Sequence, residues 1–113
     1  ISRDHSQVEE LLEKGIITPE EAINHPQGNV ITRAVGVRPG LLVDIVTFGI
    51  GIGDTFLLCS DGLYNAVSED SITESLCIKN VNESCEELLE KALANGARDN
   101  VSAIVVRGVP SKF

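Results

Sequence analysis

Apolar and polar positions along the chain predict two short helices, a group of strands, and two further helices set between the last two strands. Ser6 and Glu9 stand in the S-x-x-E spacing of a capping box, where side-chain oxygens satisfy the free N–H groups of a helix start. Val8, Leu11 and Leu12 follow at helical spacing, and Gly15 is placed to end the turn. Thr18-Pro19-Glu20-Glu21 repeats the arrangement, with a capping hydroxyl and Pro at the first helical position, and predicts a second helix running to about His25-Pro26.

Val30 to Val37 and Leu42 to Phe48 read as strands joined by Arg38-Pro39-Gly40 into a hairpin. Gly53-Asp54 then turns into Thr55-Phe56-Leu57-Leu58-Cys59-Ser60, a nearly unbroken apolar run expected to be covered on both faces. Ser68-Glu69-Asp70 opens a helix carrying Ile72 and Leu76. Another is expected to begin near Asn82 to Ser84, with Glu87 completing a capping box. Its apolar stripe is Cys85, Leu88, Leu89, Ala92 and Leu93, and Gly96 stands where it should stop. A last strand, Val101 to Val106, is introduced by Arg98-Asp99-Asn100.

With 113 residues, 42% of them hydrophobic, the chain can build one core of modest size. A formal charge of -8 and the lack of any basic run argue against a nucleic-acid partner. Cys59, Cys77 and Cys85 lie far apart without a C-x-x-C spacing, which disfavours a disulfide framework or zinc site and fits a reducing, cytoplasmic setting. The apolar runs are strand-sized, so no membrane span is expected. Ile1-Ser2-Arg3-Asp4 shows neither an initiator Met nor the regions of a signal peptide, so the start reads as a cut.

Candidate chemistry sits at two strand ends. Asp61 follows the Thr55 to Ser60 strand, and Asp99 precedes the Val101 strand. If the two strands are antiparallel neighbours, both carboxylates reach one edge of the sheet. Carboxylates brought together call for a proton or a cation between them, and all-oxygen ligands favour Mg2+ or Mn2+ over Zn2+. Each motif by itself is ordinary turn chemistry, since Asp-Gly and Asp-Asn pairs accept local backbone hydrogen bonds. Gly49, Gly51 and Gly53 alternate as in a phosphate-cradling loop, but no helix opens after them and no Lys-Ser/Thr follows, so a turn is expected.

The combination resembles the protein phosphatase 2C family of metal-dependent serine/threonine phosphatases. Ser2-Arg3-Asp4-His5-Ser6 is similar to the segment before the family's flap, and the stretch from His25-Pro26-Gln27-Gly28-Asn29 to Thr32-Arg33-Ala34-Val35-Gly36 to the return from it in bacterial members. Gly53 to Leu63 resembles the strand into the S-D-G motif, and Ala97-Arg98-Asp99-Asn100-Val101-Ser102 the closing G-x-D-N motif. The match spans nearly the whole chain, with about 1–40 as flap and return strand and 41–113 as the S-D-G and D-N half.

The resemblance implies an α+β fold, part of a four-layer αββα sandwich of two antiparallel sheets flanked by helices. It implies Asp61 and Asp99 as metal ligands, with Gly62, Asn100 and Asn65 beside the metals or phosphate and Arg33 in the substrate flap. It further implies two Mn2+ or Mg2+ ions, and a water bridging them that attacks phosphoserine or phosphothreonine in protein substrates. Family members often carry Asp four residues after the S-D-G aspartate. Asn65 stands there, which puts a weaker third ion in question. The family's phosphate-binding Arg, bridging Asp-Gly carboxylate and general-acid His have no match, and His5 and His25 read as surface or capping residues. The chain is therefore expected to be the C-terminal portion of a catalytic domain, inactive without its N-terminal half and prone to self-association through exposed sheet. The rival reading is a phosphatase-like binding or regulatory module without chemistry.

Overall fold

The computed structural model describes residues 1–26, 28 and 30–111. Gln27 and Asn29 of the His25 to Asn29 motif lie outside the described residues. The chain falls into two units, Ile1–Phe48 and Gly49–Phe113, and among the described residues no helix is long and apolar enough to cross a membrane.

The first unit begins with α1 (Gln7–Glu13) and α2 (Pro19–Ile23). The Ser6 side chain accepts from the Glu9 N–H and the Thr18 hydroxyl from the Glu21 N–H, each at 3.2 Å, as the capping signals predict. Gly15 adopts φ +69°. There its N–H reaches the Leu12 carbonyl and that of Ile16 the Leu11 carbonyl, the paired bonds of a Schellman end.

The predicted hairpin of Val30 to Val37 with Leu42 to Phe48 does not form. Ile31 instead makes an isolated antiparallel bridge with Ser6, supported by Gln7 N–H to Val30 O at 3.0 Å and Thr32 N–H to His5 O at 2.8 Å. Residues 42–48 are not assigned to a strand. Turns and bends fill 35–40, with Gly36 and Gly40 at positive φ, so the connection is too wide to set the register of a tight hairpin. A two-stranded ribbon is also only marginally stable by itself. Leu42, Val43, Ile45 and Val46 are left exposed.

The second unit contains β1 (Thr55–Cys59), α3 (Asp61–Tyr64), α4 (Glu69–Leu76), α5 (Val81–Ala94) and β2 (Ala103–Arg107). The strands pair antiparallel from Thr55 opposite Arg107 to Cys59 opposite Ala103. Alternation then sends Leu57, Cys59, Ala103 and Val105 to one face, where they pack on the buried Leu63, Val67, Leu88 and Ala92. The mixed helices and antiparallel sheet fit the expected α+β class. The expectation that β1 is covered on both faces is not met: Leu58, Ile104 and Val106 of the opposite face are exposed.

Helix α4 is capped as expected, the Ser68 hydroxyl accepting from the Ser71 N–H. Helix α5 begins earlier than its capping-box spacing predicts. Asn80 is the cap, its side-chain oxygen accepting from the N–H groups of Asn82 and Glu83 at 2.8 and 3.3 Å. Asn caps as well as Ser does, and starting there places Ser84, Leu88 and Ala92 on one buried line. The predicted stripe is correspondingly narrower: Leu89 and Leu93 turn outward. Gly96, at φ +74°, ends α5 with N–H bonds from Gly96 to Leu93 O and from Ala97 to Ala92 O. Arg107 joins sheet to helices, donating to the Thr55 hydroxyl and, at the end of α4, to the Leu76 carbonyl, each at 2.8 Å.

Candidate metal centre

The register of the sheet decides where the two aspartates go. Cys59, the last residue of β1, pairs with Ala103, the first of β2, so the chain leaves one strand and enters the other at the same edge. Asp61 opens α3 just beyond Cys59, and Asp99 lies in the loop that leads to Ala103. Both are exposed. The antiparallel arrangement that their placement at strand ends requires is therefore present.

Ser60 joins the two loops. Its N–H donates to the Ser102 carbonyl at 3.0 Å, its hydroxyl donates to the Asn100 carbonyl at 3.2 Å, and the same hydroxyl accepts from the Ser102 N–H at 3.0 Å. One small side chain thus extends the strand pairing past Cys59 and fixes the backbone on either side of Val101. Gly62 closes the junction: it is buried, and a Cβ there would run into the backbone carbonyl of Asn100. Asp99 shapes its own loop, its carboxylate accepting from the Asn100 N–H at 2.7 Å. Asn100 enters the site through its backbone rather than its side chain in every one of these contacts.

Gly62, Asn65, Asp99 and Arg98 line a cleft of about 270 Å3, together with Ala66, Asn95, Gly96 and Ala97. The donor set suits a hard cation, since carboxylate and amide oxygens are what Mg2+ and Mn2+ prefer. Its number falls short. Among the described residues no group of three or more His, Cys, Asp or Glu converges as a metal site, whereas each such ion takes about six ligands. Burial pushes the thiol of Cys59, next to the junction, above its ordinary value.

The remaining candidates belong to the first unit. Arg33 donates to the Leu42 carbonyl and to Asp44, each at 3.2 Å. Asp44 also lies 3.4 Å from both Arg3 and His5, and Arg3 pairs in addition with Glu13. Arg33 thus has structural partners of its own. His25 offers its carbonyl to the Gly28 N–H in a turn. Sequence reasoning missed Ser60 as the link between the loops, because that role exists only once Cys59 is known to face Ala103. It missed Asp44 as well, which stands alone as an acid in an apolar run.

No protein-family model matches the chain. It is 40% identical over 107 residues to the serine/threonine phosphatase stp of Listeria monocytogenes, covering 94% of this chain and 42% of that protein. Its fold superposes on the serine/threonine phosphatase of S. agalactiae with a TM-score of 0.82 at 33% identity, over 96% of this chain and 46% of that one. It also matches the catalytic domain of the serine/threonine phosphatase PstP, solved in complex with two manganese ions, with a TM-score of 0.66 at 39% identity over 97% and 45% of the two chains. The chain spans less than half the length of each of these proteins. By sequence and by fold the chain is similar, over nearly its whole length, to one part of the serine/threonine phosphatases of the protein phosphatase 2C (PPM) type.

Proposed function

We propose that Asp61 and Asp99 are ligands in a two-metal centre that hydrolyses phosphoserine and phosphothreonine in proteins, and that this chain supplies only part of that centre. The observation that carries the reading is the Cys59–Ala103 register with the Ser60 link, which brings both aspartates to one sheet edge and holds their loops together. Relatives named serine/threonine phosphatases, one of them solved with two manganese ions, support it. When bound, Mn2+ or Mg2+ would supply an activated water as nucleophile and offset charge on the phosphoryl oxygens. Asp61 and Asp99 anchor from this side, Gly62 lets the two loops close up, and Asn65 offers an amide oxygen in place of a third carboxylate. Among the described residues too few acids converge to hold two ions, so the other ligands come from a segment matching the rest of the relatives' length.

Release of phosphate from a phosphothreonine peptide in Mn2+ tests this. Turnover is expected from the full-length protein and not from this chain alone. Robust turnover by the chain alone would overturn the partial centre, and none from either would overturn the phosphatase reading.

A further inference from the structure

The second unit's arginines have different fates. Arg107 is spent on the Thr55 hydroxyl and on carbonyls at the end of α4 and beyond. Arg98 makes no hydrogen bond or ion pair with any described residue, even though Asp99 is its neighbour in sequence and the chain carries a net charge of -8. A guanidinium has five donors and no acceptor, so it seeks an oxyanion, and its planar fork fits carboxylate or phosphate oxygens.

Its setting distinguishes it from an ordinary solvated arginine. Arg98 lines the same cleft as Gly62, Asn65 and Asp99. The backbone that carries it is held in place: Gly96 and Ala97 close the end of α5 with hydrogen bonds of 3.1 and 3.0 Å, and the Asn95 amide donates to the Ala66 carbonyl at 2.8 Å. On the other side, Asn100 is fixed by Ser60. Arg98 therefore projects from a short loop pinned at both ends, beside the carboxylate proposed to hold metal, and its charge is uncommitted. Preorganisation of this kind lowers the cost of ordering a side chain on binding.

We infer that Arg98 binds an oxyanion of the substrate at the rim of the metal centre, either the phosphoryl group itself or a carboxylate flanking the phosphorylated residue. The inference rests on the phosphatase reading above. In the full-length protein, Arg98→Ala is compared with wild type on p-nitrophenyl phosphate, a phosphothreonine peptide with neutral neighbours, and one with an adjacent Asp. A rise in KM of about fivefold confined to the acidic peptide assigns Arg98 to the flanking carboxylate. The same rise on all three substrates assigns it to the phosphoryl group, and Arg98→Lys, which keeps the charge without the fork, should lie between in either case. Unchanged KM values throughout overturn the inference. Titration of the protein with inorganic phosphate and, separately, with acetate, followed at the Arg98 Nε–H by NMR, gives a readout independent of turnover for each of the two oxyanions. A resonance that stays put in both titrations overturns the oxyanion site even if no substrate is hydrolysed, whereas loss of hydrolysis with the resonance still shifting in either counts against the phosphatase reading alone.

Discussion

Gly62 lies under the backbone of Asn100, so close that a Cβ at position 62 would enter the Asn100 carbonyl oxygen and approach its carbon to 3.1 Å. The obstructing atoms are backbone, and that backbone is itself bonded to Ser60, so no side chain can swing away to make room. Gly62→Ala should therefore destabilise the chain by about 1–3 kcal/mol, the range for overpacking a close contact. Urea denaturation measures this. A change below 0.5 kcal/mol, about that of an ordinary surface substitution, would show that the two loops do not pack as described.

The start of α5 separates two capping schemes. Asn80 caps it in the structure, while Ser84 lies buried and hydrogen-bonded to the Ile78 carbonyl at 3.4 Å. Asn80→Ala should cost about 1 kcal/mol, with the loss confined to the first turn. Hydrogen exchange at Asn82 and Glu83 is the local check. Faster exchange at Glu86 and Glu87 with Asn82 unchanged would instead place the start at the Ser84–Glu87 box.

What could be read from the sequence follows from how local each signal is. The helix caps at Ser6, Thr18 and Ser68 and the glycine stops at Gly15 and Gly96 depend on residues within one turn, and all are found where expected. The strands flanking Asp61 and Asp99 were legible because one is nearly all apolar and both are bounded by turn residues. The hairpin of Val30 to Phe48 was not, because strand pairing is decided by partners distant in sequence, and Ile31 finds Ser6 instead. Leu93 was placed on the wrong side of α5 for a related reason: helical spacing gives a stripe, but the choice of Asn80 as cap and contact with the sheet decide its centre. In the site, positions at strand ends were legible, and the Ser60 link that couples them was not.

The outer face of the sheet should drive association. Leu58, Ile104 and Val106 are 53%, 61% and 43% exposed on adjacent strands, a row of apolar side chains of the kind that soluble monomers seldom leave bare. Sedimentation velocity on this chain should show dimers or larger species, and Leu58→Lys with Ile104→Lys should shift it toward monomer while the inner face keeps its core. A monodisperse wild-type monomer would mean that the face is tolerated in water.

Metal affinity is the decisive measurement for Asp61 and Asp99. Were they turn formers only, replacing either would cost about 1 kcal/mol of stability and leave metal binding unaltered. As ligands they behave differently, because losing one of the few carboxylates available to a divalent ion removes both a bond and a compensating charge. Calorimetry with Mn2+ on the full-length protein should show Asp61→Ala and Asp99→Ala each weakening binding at least tenfold, about 1.4 kcal/mol, with phosphatase activity falling in step. Asn65→Asp supplies the opposite test. Asn65 lines the cleft with Asp99, and converting its neutral amide to a carboxylate strengthens the site for a hard cation. Tighter Mn2+ binding is expected in that variant, with the fold unchanged because the Asn65 backbone N–H, which donates to the Asp61 carbonyl at 2.9 Å, is untouched. Equal affinities across all three variants would leave the sheet edge as a structural junction and remove the metal centre from it.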